Sequence, residues 1–82
     1  MHNDQKNKFL VEFGAYLKNR REKTLKEDNL LQFSYLSNLD NSKLAKIEKG
    51  KIDIQFSTLI EIAKAYKLTD KAILGFKFIS DE

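Results

Sequence analysis

Residues 33–68 read FSYLSNLDNSKLAKIEKGKIDIQFSTLIEIAKAYKL, and the spacing of their apolar side chains decides the fold. In NSKLAKIEK (41–49), Leu44 and Ile47 fall on one side of a helix. Asn41, Ser42, Lys43, Lys46 and Lys49 fall on the other. Asp40 precedes this segment as a capping type, and Gly50 follows it as a stop. In FSTLIEIAKAYK (56–67), Phe56, Leu59, Ile62, Ala63 and Tyr66 recur at three- and four-residue steps, the stripe of a helix that buries one side. Upstream, LLQFSYLS (30–37) turns Leu30 and Phe33 inward, with Leu36 a further candidate. It stops at Asn38, a residue type that tolerates the left-handed conformation ending many helices, and Leu39 is then an apolar residue inside a tight joint.

Outward from this stretch the reading stays helical. Phe9, Phe13, Tyr16, Leu17 and Arg20 share a helix face over 7–23. Gly14 inside that helix costs about 1 kcal/mol against Ala, so a close backbone approach is its expected reason. TLKEDN (24–29) is a polar loop around Leu25, with Asp28 and Asn29 as capping types. Thr69 and Asp70 open a last helix over 70–75, and FKFIS beyond it alternates with period two but is too short to assign. The expected architecture is all-α, a compact five-helix bundle forming one domain over 1–82, with its functional core at 30–50.

Composition narrows the chemistry. The 82 residues carry 15 Lys and Arg against 12 Asp and Glu, a net charge of +3. The isoelectric point near 9.2 just clears the level expected of a nucleic-acid binder. There is no Cys, and the single His is His2, so thiolate metal sites, disulfides and histidine catalysis lack material. The carboxylate pairs Glu27–Asp28 and Asp81–Glu82 stand in a loop and at a terminus with no base or metal beside them. No enzyme, cofactor, metal or small-molecule ligand is expected. The start, MHNDQKNK, lacks a signal-like apolar run, and no stretch approaches membrane-spanning length, so the expected location is cytoplasmic and away from membranes.

A short helix, a tight joint and a second short helix with a polar, cationic outer side is the outline of a helix-turn-helix. A helix that enters a major groove roughly 12 Å wide needs an outer side free of bulky apolar groups. That side must carry amides, hydroxyls and cations for base edges and phosphates, as Asn41, Ser42, Lys43 and Lys46 do. Lys49 and Lys51 flank Gly50, where both phosphate contact and the helix dipole account for lysines. Ser57 and Thr58 open the next helix, where a hydroxyl holds a phosphate or caps the helix; Ser57 is taken as the contact.

These residues also resemble a family. The segment 33–68 looks like the Cro/cI-type, or Xre-type, helix-turn-helix domain, and SKLAKIEKGK (42–51) carries the likeness most strongly. FGAYLKNRR (13–21) is similar to the family's first helix and STLIEIAKAYKL (57–68) to the helix that closes the bundle, so the resemblance spans about residues 9–74. It implies a lambda-repressor-like fold and double-stranded DNA as partner. Where the family usually opens its second helix with Gln this chain has Leu30, and Ser34 and Asn38 stand for the usual Ala and Gly. Asn29 or Gln32 is then expected to make the missing polar contact. Glu48, an anion beside the DNA side, is expected to pair with Arg21, as the resemblance also implies, with Arg20 the alternative. Restriction–modification controllers, phage repressors and antitoxins are small members of the family.

The apolar residues of 68–79 exceed what one short helix buries. They are expected to form a twofold dimer interface through Ile73, Leu74, Phe76 and Phe78, setting two recognition helices roughly 34 Å apart. The function expected is sequence-specific DNA binding in transcription regulation, as a homodimer. The alternative is an Xre-like interaction module or antitoxin with weak or lost DNA binding.

Overall fold

The computed structural model describes residues 3–68, 72–73 and 76–77. Helix α1 spans Asn3–Asn19 and runs on into a π-helical turn, Arg20–Thr24, whose mark is Leu25 N–H donating to the Arg20 carbonyl at 2.9 Å. Three further α-helices follow: α2 (Leu30–Ser34), α3 (Asn41–Glu48) and α4 (Phe56–Ala65). The segment expected as a fifth helix, 70–75, instead contains a short strand, β1 (Ala72–Ile73), paired antiparallel with β2 (Phe76–Lys77) in the unassigned tail, Ile73 opposite Phe76. Gly75 disfavours a helix there, and the aromatic and β-branched residues around it favour strand pairing. The described part is thus helical apart from this small ladder.

Each helix end has a local cause. The Asn29 side chain caps α2 by accepting from Gln32 N–H, and Asp40 caps α3 by accepting from Lys43 N–H at 2.7 Å. α3 ends in a Schellman turn: Lys51 N–H donates to Lys46 C=O and Gly50 N–H to Ile47 C=O, with Gly50 at φ 71°. α4 ends the same way, but the left-handed residue is Lys67, at φ 58°. Asn38 is not left-handed, because α2 has already stopped at Ser34 and the chain turns through the joint by other means. Ser37 organises that joint. Its hydroxyl donates to Ser34 C=O and accepts from Leu39 N–H at 3.1 Å, while Asn38 donates to Glu61 on α4.

The core gathers Leu17 of α1, Phe33 of α2, Leu39 of the joint, Leu44 and Ile47 of α3, and Ile62, Ala63, Ala65, Tyr66 and Leu68 of α4 and its end. The Phe33 and Tyr66 rings meet edge to face at 4.7 Å. Several expected core residues lie elsewhere. Phe9 and Tyr16 are exposed, since the stripe α1 buries is centred on Gly14, Leu17 and Arg21 and leaves the aromatics along its flank. Leu36 is exposed because helical phase is lost after Ser34, and Leu39 fills the inward place. Phe56 is exposed at the first position of α4, ahead of its buried stripe.

Candidate nucleic-acid interface

The outer side of α3 follows from its inner side. Leu44, Ile47 and Glu48 are buried, so a helix of 3.6 residues per turn must present Ser42, Lys46 and Lys49 along the opposite stripe. All three are exposed, with Asn41 exposed beside them and the small Ala45 half-buried between. Lys43 stands on the flank and is half-buried, which separates it from the outward group expected to hold it. Lys51 is exposed beyond Gly50, and Ser57 is exposed on a different element, early in α4. Gln55, not Ser57 or Thr58, is the residue before α4, and it makes no capping bond. At the start of α2, Gln32 is exposed, whereas Asn29 has committed its side-chain oxygen to the cap.

Beneath this surface the ion pair is exact in its chemistry. Arg21 Nε and Nη2 each donate to one oxygen of Glu48 at 2.9 Å, a fork of two parallel bonds, and both side chains are 4% exposed. Arg21 Nη1 also donates to the carbonyls of Glu27 and Asp28, fixing the loop that leads into α2. The partner that charge reasoning missed is Tyr66, whose hydroxyl donates to Glu48 Oε2 at 2.6 Å. A buried tyrosine must place its hydroxyl somewhere, and that rule pointed to such a partner. The bond to the Glu48 carboxylate helps hold the Arg21 pKa up. Burial first, and then the bond to Glu48, push the Tyr66 phenol well above its ordinary value.

Arg20, the alternative partner for Glu48, does something else. It donates to the Tyr66 and Lys67 carbonyls at 2.6 and 2.7 Å, closing the C-terminal end of α4. Successive side chains of a helix point well apart around its axis, by roughly 100° in an α-helix, so the neighbouring arginines reach different targets. Two glycines complete the seat of α3 on α1. A Cβ on Gly14 would strike the carbonyl oxygens of Ile47 and Glu48, and one on Gly50 would lie 2.5 Å from the Val11 Cα.

The positive surface is therefore made of Lys46, Lys49 and Lys51, with Lys43 at its edge. Glu48 is neutralised internally, and Asp53 is engaged by Lys6 at 3.3 Å in an exposed pair. Beside the start of α3 the character changes. A groove between α2 and α3 is lined by exposed Leu31 and Tyr35 together with Asn41 and Ser42, a character that the sequence reading of this surface lacks. Their signal in the sequence was available: once Leu30 and Phe33 point inward, Leu31 and Tyr35 cannot.

Of the expected dimer residues, Leu74 and Phe78 lie outside the described residues, and for Ile73 and Phe76 only the backbone pairing is described. No helix among the described residues is long and apolar enough to cross a membrane. No family model, curated protein or solved structure matches the chain.

Proposed function

We propose that this chain is a sequence-specific double-stranded DNA-binding regulator of transcription, with α2 and α3 as a helix-turn-helix of the lambda-repressor-like, Xre type. α3 enters the major groove, and the working form is a cytoplasmic homodimer without catalytic activity or cofactor. One observation carries the reading. α3 is fastened on its inner side by Leu44, Ile47 and the Arg21–Glu48 fork, while its outer side offers a hydroxyl, an amide and cations to solvent. That is the chemistry base edges and phosphates accept. A restriction–modification controller, a phage repressor and an autoregulating antitoxin are all settings that fit such a domain.

A second reading, an interaction module or antitoxin without DNA binding, is favoured by the exposed apolar side chains Leu31, Tyr35 and Leu36 on and just after α2. Selection of bound sequences from random duplex, followed by affinity against salt, separates the two. A DNA binder selects a twofold-symmetric site, and its log affinity falls with log salt at a slope of about −0.9 per phosphate neutralised. Lys43→Ala and Lys46→Ala each weaken binding. Failure to select any duplex, or undiminished affinity in both variants, refutes the α3 reading. Sedimentation at micromolar concentrations tests the dimer, and a folded monomer alone would overturn that part.

A further inference from the structure

We infer that the groove between α2 and α3 reads an A·T base pair, seating the thymine methyl group against Leu31 and Tyr35 while Asn41 faces the adenine. The inference rests on the duplex-binding reading above and names the base chemistry that this part of the surface takes.

Leu31 and Tyr35 are 48% and 73% exposed, one helical turn apart, and they share the groove with Asp40, Asn41 and Ser42. Apolar bulk at the mouth of a DNA-facing helix pair would be a poor neighbour for phosphates. The groove also has no Lys or Arg among its described lining residues. Its one acid, Asp40, keeps a carboxylate there while its Oδ1 accepts from Lys43 N–H, so an anion placed in this groove meets repulsion. The lysines that suit the backbone lie elsewhere, at 46, 49 and 51. This stretch is therefore matched to base edges.

Among base pairs, only those containing thymine offer an apolar group in the major groove, the C5 methyl, and the adenine opposite presents an N7 acceptor beside an N6 donor. A side-chain amide matches that adenine edge with two bonds. Asn41 carries the amide, is exposed, and makes no side-chain hydrogen bond within the described structure. A G·C pair lacks the methyl, and its guanine shows two acceptors best met by a cation, which the groove does not have. Ser42 suits either pair and does not discriminate.

The test replaces thymine by deoxyuridine, one position at a time, in the selected duplex bound by the intact protein, which removes only the methyl group. One position per half-site should weaken binding about fourfold, the equivalent of roughly 0.8 kcal/mol for one methyl taken out of water. Leu31→Ala and Tyr35→Ala should abolish that discrimination while keeping the salt slope of the parent. Replacing the paired adenine by 7-deazaadenine should weaken the parent and leave Asn41→Ala unaffected. Equal affinity for thymine and uracil at every position, or discrimination that survives both apolar substitutions, overturns the inference while duplex binding stands. If no duplex is selected at all, the DNA-binding reading falls and takes this one with it.

Discussion

Removing charge from Arg21 and Glu48, singly and together, tests what fastens α3. Arg21→Gln deletes four hydrogen bonds, two to Glu48 and one each to the Glu27 and Asp28 carbonyls. It leaves a carboxylate that is 4% exposed with the Tyr66 hydroxyl as its remaining partner. Removing one member of a buried pair costs about 3–5 kcal/mol, because the other charge stays buried without compensation. Arg21→Gln belongs at the top of that range. Glu48→Gln belongs nearer the bottom, since the arginine keeps its two backbone carbonyls and the new amide still accepts from Tyr66. Domains of this size hold roughly 4–12 kcal/mol in all, so both variants have to be measured near the temperature of maximum stability, roughly 10–20 °C. Urea unfolding followed by far-ultraviolet circular dichroism supplies the midpoints, with trimethylamine oxide added equally to all four proteins if Arg21→Gln lies too low. The double variant has no buried charge left, so its loss should fall short of the sum of the singles by about 1–3 kcal/mol. Additivity within about 0.3 kcal/mol would refute the coupling on which the seat of α3 is argued.

Tyr66→Phe removes a hydrogen bond to a charged group and should cost about 1.5–3 kcal/mol near neutral pH, read from the urea midpoint. Its pH dependence has a definite sign. The folded pKa of Tyr66 is raised above its ordinary value near 10, so its contribution is complete below pH 10 and is lost as pH rises further, when the unfolded chain ionises first. The parent should therefore lose up to about 1.4 kcal/mol per pH unit more steeply than Tyr66→Phe above that point, and parallel profiles would contradict this. Gly14→Ala should destabilise by about 1–3 kcal/mol in thermal unfolding despite alanine's better helix propensity, because its Cβ meets backbone oxygens that cannot step aside. Lys67→Gly should do the opposite, raising the thermal midpoint by a few degrees (up to about 1 kcal/mol), since φ 58° strains a lysine and not a glycine.

What the sequence disclosed and what it withheld divide along physical lines. Helices α3 and α4 are legible to within two residues because buried stripe, cap and stop agree there: Asp40 and Gly50 bracket α3 in the structure as in the pattern. Arg21 and Glu48 could be joined by asking where an anion goes beside an expected DNA-facing side, while the third member, Tyr66, needed the approach of the end of α4 to Glu48 to be seen. The inward places of Phe9, Tyr16 and Leu36 failed for a different reason. Periodicity gives the face of a helix but not which edge of that face meets the core, and it gives nothing once the helix has ended. Strand pairing at 72–73 and 76–77 is hard to read from sequence because the capping types Thr69 and Asp70 suggest a helix start, whereas Gly75 and the flanking aromatics suggest strand.

The placement of the fastenings has a consequence for any ligand of α3. Gly14, Gly50 and the Arg21–Glu48–Tyr66 cluster all act on the inner side or the C-terminal end of that helix, while buried Leu39, held through Ser37, and the Asp40 cap fix its start. The two ends are held by different kinds of interaction: a buried bidentate ion pair at one, and at the other the burial of Leu39 with an exposed cap of about 1 kcal/mol. Asn41 and Ser42 stand at the end held by the exposed cap. Lys46 and Lys49 stand toward the end held by the ion pair, where the helix cannot shift without disturbing α1 and α4. On the proposed DNA-binding reading, such an interface would set its register on the phosphates through Lys46 and Lys49 and leave the discrimination of bases to the first turn. Substitutions at Gly14 or Arg21, which touch no ligand, should then change affinity for all duplex sequences alike. Loosening of Asp40 should instead erode the difference between one sequence and another.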